Sequence, residues 1–199
     1  MELKVFPPFK VANIAFATGR LAIGGDLADE GDVALAQQNE IVERGITHVL
    51  DVRQEWDDAG LWDGVDGVTY HRDGIDDAGQ QVPPEWFDGA VAWCVDALHA
   101  DPEARVLTHC HMGVNRGPST GYAVLLALGW DPVDALATIR AARPIAGIAY
   151  AEDALDWHLL RTGATPSDAE AARARVAQWR AENPLDIEHT IKQLRAEEA

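Results

Sequence analysis

The amino-acid sequence predicts an α/β fold: a central mixed, mostly parallel sheet with helices on both faces, and extra helices at the carboxyl end. Three observations predict it. Short apolar runs alternate with amphipathic stretches as far as residue 109, only helical patterns follow, and the runs "ITHVLDV" and "RVLTH" read as strands buried on both faces. At 199 residues and 47% hydrophobic, the chain is long enough to bury one substantial core.

In order along the chain, "NIAFA" and "LAIGG", separated by "TGR", read as a hairpin. "DVALAQQNEIVERG" places Val33, Leu35, Ala36, Ile41 and Val42 on a broad apolar stripe, with Gly45 as its stop. After the strand "ITHVLDV" comes "EWDDAGLWDGVDG", a loop, then the short strand "VTYH" and a second acidic loop, "RDGIDDAGQQVPP". Pro83 and Pro84 open a helix that carries Phe87, Val91, Cys94 and Leu98 on one face. "RVLTH" is the next strand. "PSTGYAVLLALG" is a largely apolar helix stopped by Gly129, and "DPVDALATIRAAR" begins with Asp131 as cap and Pro132 at the first helical position. "AYAEDALDWHLLR" reads as a further helix and "GATPSD" as a linker. A capping box at Ser167–Glu170 precedes "AARARVAQWRAE", and "LDIEHTIKQLRAEE" follows Pro184. The division is a domain over 1–162 and a helical extension over 163–199.

The charge balance excludes some partners. With 33 acids against 16 bases the net charge is -17, a surface that repels nucleic acid and anionic membrane. Nowhere do about 18 apolar residues run together, and the opening "MELKVFPPFKVANIAFATGR" is interrupted at Pro7 and Pro8, so a cytoplasmic protein with no membrane partner is expected. Cys94 and Cys110 are too few for a disulfide framework. Cys94, on its apolar stripe, reads as core.

Cys110 reads differently. The strand "RVLTH" ends at His109, "CHMGVNR" is a loop, and "GPSTGYAVLLALG" is a helix whose first turn points unpaired N–H groups back at the loop. Those donors and the helix dipole favour a thiolate, which predicts a Cys110 pKa well below the ordinary thiol value. Gly113 lets the backbone turn its amides inward, and the fork of Arg116 matches two oxygens of a phosphate. A nucleophile, a ring of amides and a guanidinium converging on one tetrahedral anion is the equipment of phosphoryl transfer to cysteine.

The segment "HCHMGVNR" fits the H-C-x5-R signature of the cysteine-dependent protein tyrosine phosphatases, and its setting resembles that of the small dual-specificity phosphatases over roughly residues 13–160. The resemblance implies a phosphatase-type phosphate-binding loop between a central strand and a helix. It implies Cys110 as nucleophile, Arg116 as phosphate clamp and the loop residues His111, Met112, Gly113, Val114 and Asn115 as substrate-binding. In "IDDAGQQVPPEWF" the spacing back from Trp86 and Phe87 puts Asp77 at the family's general-acid position, with Asp76 as fallback. His109 resembles the histidine that supports the thiolate through the loop. No metal and no organic cofactor are implied, and the partner is a phosphorylated protein or a small phosphorylated molecule.

The sequence departs from the family after the arginine. Gly117 stands where Ser or Thr usually helps expel the thiolate, so either Ser119 or Thr120 substitutes, or hydrolysis of the phosphoenzyme is slow, as in the regenerating-liver phosphatases. Asn115 is similar to the RNA triphosphatase branch, and the lysines of phosphoinositide-specific members are missing from "HMGVN". Neither polyanion suits a chain of charge -17. Arg143 falls near a family arginine that meets substrate. Trp56 and Trp62, in an acidic loop, are candidates for a substrate surface, while Arg173, Arg175 and Arg180 read as a solvated face. Two rival readings stay open: a phosphate-binding module that holds phosphoproteins without turning them over, and a sulfurtransferase, which leaves Asp77 without a task.

Overall fold

Five strands form one sheet: β1 (Ile14–Phe16), β2 (Leu21–Gly24), β3 (His48–Arg53), β4 (Thr69–Ile75) and β5 (Val106–His109). Their spatial order is β1-β2-β5-β3-β4. The first two strands make the expected antiparallel hairpin, and β2, β5, β3 and β4 run parallel. The structure is a computed structural model that describes residues 7–28 and 31–197; residues 1–6, on which part of the amino-terminal reading rests, lie outside them.

Eight helices are found among the described residues: α1 (Gly31–Glu43), α2 (Ala59–Trp62), α3 (Pro84–Ala100), α4 (Arg116–Ala127), α5 (Pro132–Ala142), α6 (Ala151–Thr162), α7 (Pro166–Glu182) and α8 (Ile187–Glu197). Alternate strand residues feed two cores, one on each face of the sheet. Leu21, Ile23, Leu50, Val52 and Val106 pack in a cluster with the apolar residues of α3, α4, α5 and α6. Ala22, Val49 and Leu107 pack on the other face with Ile41 of α1 and Trp62 of α2. Both faces are thus covered, which is why the central strands read as unbroken apolar runs. Helix α4 is buried at every position from Arg116 to Leu126, and beyond Arg116 its sequence is largely apolar or small all round.

Four expectations need correction. The buried face of α1 is Ala34, Gln37, Glu40 and Ile41, whereas Val33, Leu35 and Val42 are exposed. Polar anchoring overrode the apolar stripe: the Glu40 carboxylate accepts from the backbone N–H groups of Lys10, Val11 and Ala12 at 2.6–2.9 Å, tying the amino-terminal segment to the helix. Strand β4 runs on to Ile75 through residues read as loop, because parallel pairing with β3 continues past a register shift between Asp51 and Arg53. The first acidic loop contains the one-turn helix α2. The cap of α7 is Thr165, whose hydroxyl accepts from the Asp168 N–H at 3.2 Å, two residues before the capping box expected at Ser167–Glu170.

Candidate active site

Strand β5 is the middle strand of the sheet, flanked by β2 and β3, so residues 110–116 emerge at the carboxyl edge with strands on both sides. The loop leads directly into α4, as the motif requires. Its curvature rests on Gly113, at φ +65°, where a Cβ would sit 2.5 Å from the Gly24 carbonyl carbon and 2.4 Å from an Arg143 nitrogen. From outside, Arg143 pulls the loop carbonyls outward: its Nε donates to the Gly113 carbonyl at 2.6 Å and one terminal nitrogen to that of Met112 at 2.9 Å. It also holds Asn13 and is only 5% exposed. Arg143 therefore braces the loop and is not among the residues lining the cavity, and burial pushes its pKa down to about 10.

Cys110, 2% exposed, lines a cavity of about 230 Å³ together with Glu55, Asp77, His111, Met112, Val114, Asn115 and Arg116. The amides of Gly117 and Gly113 are directed at its sulfur and, with Arg116, favour the thiolate. Burial opposes them and is larger, and the Asp77 carboxylate adds to it, so the thiol is raised. This corrects the expectation of a depressed pKa. The amide ring is present, but water is excluded from the sulfur and a carboxylate stands nearby.

Arg116 is held on two sides. Its terminal nitrogens donate to both carboxylate oxygens of Glu55 at 2.6 Å, and one also to the Ile75 carbonyl at 3.0 Å. Its Nε has no hydrogen-bond partner among the described residues and lies 3.5 Å from Asp77 Oδ2. The hydrogen bonds from Arg116 hold the Glu55 pKa down at about 2, so the pair is charged at neutral pH. Glu55 was not singled out from the sequence. The available signal was its place just past the carboxyl end of β3, but in a run of acids that position does not distinguish it from a solvated charge.

Asp77 and Asn115 form a second contact across the cavity. Asn115 Nδ2 donates to Asp77 Oδ1 at 2.6 Å, and Tyr150 donates to the same oxygen at 3.1 Å. The Asn115 oxygen accepts from the Ala149 N–H at 2.7 Å, linking the acidic loop to the turn before α6. Asp76 is not among the residues lining the cavity, and its backbone carbonyl accepts from Gln80 at 2.6 Å. Tyr150 is a further residue that sequence reasoning missed, because its contact with Asp77 spans 73 positions.

His109 is fully buried, with neither ring nitrogen partnered among the described residues and its Nε2 4.0 Å from Asp51. Burial lowers its pKa and keeps it neutral. His111 Nδ1 lies 2.6 Å from Asp26, and its ring packs on Trp56 at 4.9 Å. Trp56 is half exposed beside the cavity, whereas Trp62 is buried in the α1 core and is no substrate surface. Ser119 donates to Asn115 at 3.3 Å and Thr120 to the Arg116 carbonyl at 2.8 Å, so both hydroxyls are engaged away from the sulfur. Gly117 approaches the strand closely: a Cβ there would lie 3.1 Å from the Thr108 carbonyl and 3.2 Å from the Cys110 nitrogen. Cys94 is fully buried and its pKa is raised by burial alone.

Asp51, Asp58 and His109 bring three potential metal ligands together. Arg53 already fills that cluster, with one terminal nitrogen 2.7 Å from Asp51 and 2.6 Å from Asp58, so the carboxylate charge is balanced by a guanidinium and leaves no place for a cation.

Comparison with solved structures places this architecture. A mouse putative dual specificity phosphatase complexed with zinc tungstate superposes with a TM-score of 0.63 at 19% identity, covering 81% of this chain and 97% of that one. The chain has the dual-specificity phosphatase fold. PTPMT1 in complex with PI(5)P gives a TM-score of 0.62 at 15% identity, over 76% of this chain and 97% of that one. Human DUSP28 gives 0.60 at 17%, over 79% and 97%. No family model matches the chain, and no curated protein matches it in sequence. Among the described residues, no helix is long and apolar enough to cross a membrane.

Proposed function

We propose that the chain hydrolyses phosphomonoesters through a cysteinyl-phosphate intermediate. One observation carries the reading: Cys110 shares a cavity with Arg116 and Asp77, and the Arg116 Nε is buried there without a hydrogen-bond partner among the described residues, 3.5 Å from Asp77. An unpaired buried donor costs free energy, and a phosphate oxygen would satisfy it. Cys110 attacks phosphorus in line, the bond to the leaving oxygen breaks, and Asp77 gives that oxygen its proton. Water then attacks the thiophosphate, Asp77 takes up its proton, and phosphate and thiolate are released. The amides of residues 111–116 and Arg116 carry the charge on the equatorial oxygens. His109 and Ser119 act behind them, as supports of the loop.

The raised thiol fits this cycle. Thiolate with protonated Asp77 has the same net charge as thiol with Asp77 carboxylate, so the reactive form differs by one proton moved from sulfur to carboxylate. That move also removes the charge that opposes the thiolate. Glu55 keeps Arg116 extended into the loop. Residues 1–162 form the catalytic part in this reading and 163–199 an extension.

The reading is tested by hydrolysis of para-nitrophenyl phosphate. Vanadate-sensitive turnover that Cys110→Ser abolishes is expected, with a burst of one equivalent because no hydroxyl assists at Gly117. A second reading is favoured by that same absence: a module that binds phosphoproteins without turnover. Phosphate binding by the wild-type protein with no hydrolysis would select it.

A further inference from the structure

Helix α8 returns the chain to the mouth of the cavity. Asp186 opens it, with its Oδ1 accepting from the His189 N–H and its carbonyl from the Thr190 N–H, both at 2.9 Å. Ile187 is seated on Gly147, where a Cβ would come within 2.8 Å of the isoleucine side chain. The Gly147 N–H in turn donates to the Val114 carbonyl of the phosphate loop at 2.7 Å. Four and eight residues on, along the same helical row, Ile191 and Arg195 line the cavity with Cys110, Arg116, Asp77 and Glu55.

The two arginines of this cavity differ in their partners. Arg116 is bound by Glu55, whereas Arg195 has no ion-pair or hydrogen-bond partner among the described residues. The cavity, about 230 Å³, lies below the roughly 300–1,000 Å³ of pockets for drug-sized ligands. The net charge of -17 repels anions at a distance, but beyond about 8 Å that field is screened, and the guanidinium at the lip decides the local balance.

Resting on the phosphatase reading above, we propose that Arg195 is a specificity-determining anion-binding residue and that the substrate is a small phosphorylated molecule with a second anionic group. The phosphate sits on the Cys110 loop and the second anion reaches the Arg195 guanidinium. Ile191 lines the same cavity one turn before Arg195 and supplies its apolar wall.

The test uses the full chain with meta-carboxyphenyl phosphate and its neutral carboxamide twin, which differ in charge and hardly in shape. Arg195→Ala is expected to lower kcat/KM for the carboxylate about tenfold, mainly through KM, and to leave the carboxamide unchanged, while Arg195→Lys keeps most of the preference. Equal losses on both compounds, or no loss, would overturn the proposal. So would a phosphotyrosine peptide that is turned over faster than the carboxylate compound. If the wild type hydrolyses neither compound nor para-nitrophenyl phosphate, the phosphatase reading fails, and calorimetric binding of the same pair still decides on Arg195. A carboxylate preference lost in Arg195→Ala supports it, and no preference overturns it.

Discussion

Cys94 and Cys110 are both buried, at 0% and 2% exposure, and both belong to the same core cluster, but only one of them is met by polar backbone and a guanidinium. Cys94 lies on α3, where burial raises its thiol unopposed. Cys110 lies on a loop whose carbonyls are drawn outward by Arg143 and whose amides turn inward, so burial there is contested by donors and by Arg116. Depth of burial therefore does not separate the core thiol from the proposed nucleophile. The direction of the surrounding peptide dipoles does.

The largest expected effect comes from the charge that opposes Cys110. Asp77→Asn removes both the proposed acid and a carboxylate that holds the thiol up, so turnover should fall about 10²–10⁴-fold. Alkylation of Cys110 should move to lower pH in the same variant, because losing a nearby negative charge favours the thiolate. Iodoacetamide labelling against pH, read by mass spectrometry, checks the sign. A shift to higher pH would break the contrast between the two cysteines, and Cys94 should label only on unfolding.

A smaller effect separates the regions by stability. Cys94→Ser puts a hydroxyl into an apolar cluster and should cost about 1–3 kcal/mol in urea unfolding, with the kcat of the folded protein unchanged. A loss of activity without a loss of stability would give Cys94 a part in the chemistry that its surroundings do not support.

The smallest effect concerns Gly117. A side chain there presses on the Thr108 carbonyl and the Cys110 nitrogen, so Gly117→Ser and Gly117→Ala should share a steric penalty. The ratio between them isolates the hydroxyl. The serine variant should break down the phosphoenzyme a few-fold faster than the alanine variant in rapid-quench experiments, and equal rates would mean that the engaged Ser119 and Thr120 already suffice.

Much of this was legible in the chain itself. Buried parallel strands read as continuous apolar runs, the Asp131–Pro132 helix start is a local capping event, and the spacing from Cys110 to Arg116 is a short-range pattern between a strand and a helix. What was misread depended on distant partners. Val33, Leu35 and Val42 looked like a core face until Glu40 and Gln37 were claimed by the amino-terminal segment, and Trp62 looked like a surface residue until α2 folded onto the sheet.

The sequence by itself determined the strand–loop–helix that carries Cys110 and Arg116, because the forces that shape it act within some twenty residues. Only the tertiary structure decided that Glu55 grips Arg116, that Arg143 braces the loop from outside, that Tyr150 holds Asp77 and that α8 stands at the cavity mouth. Each of those contacts joins residues 30 or more positions apart, and charge pairing across such distances leaves no period in the chain to read.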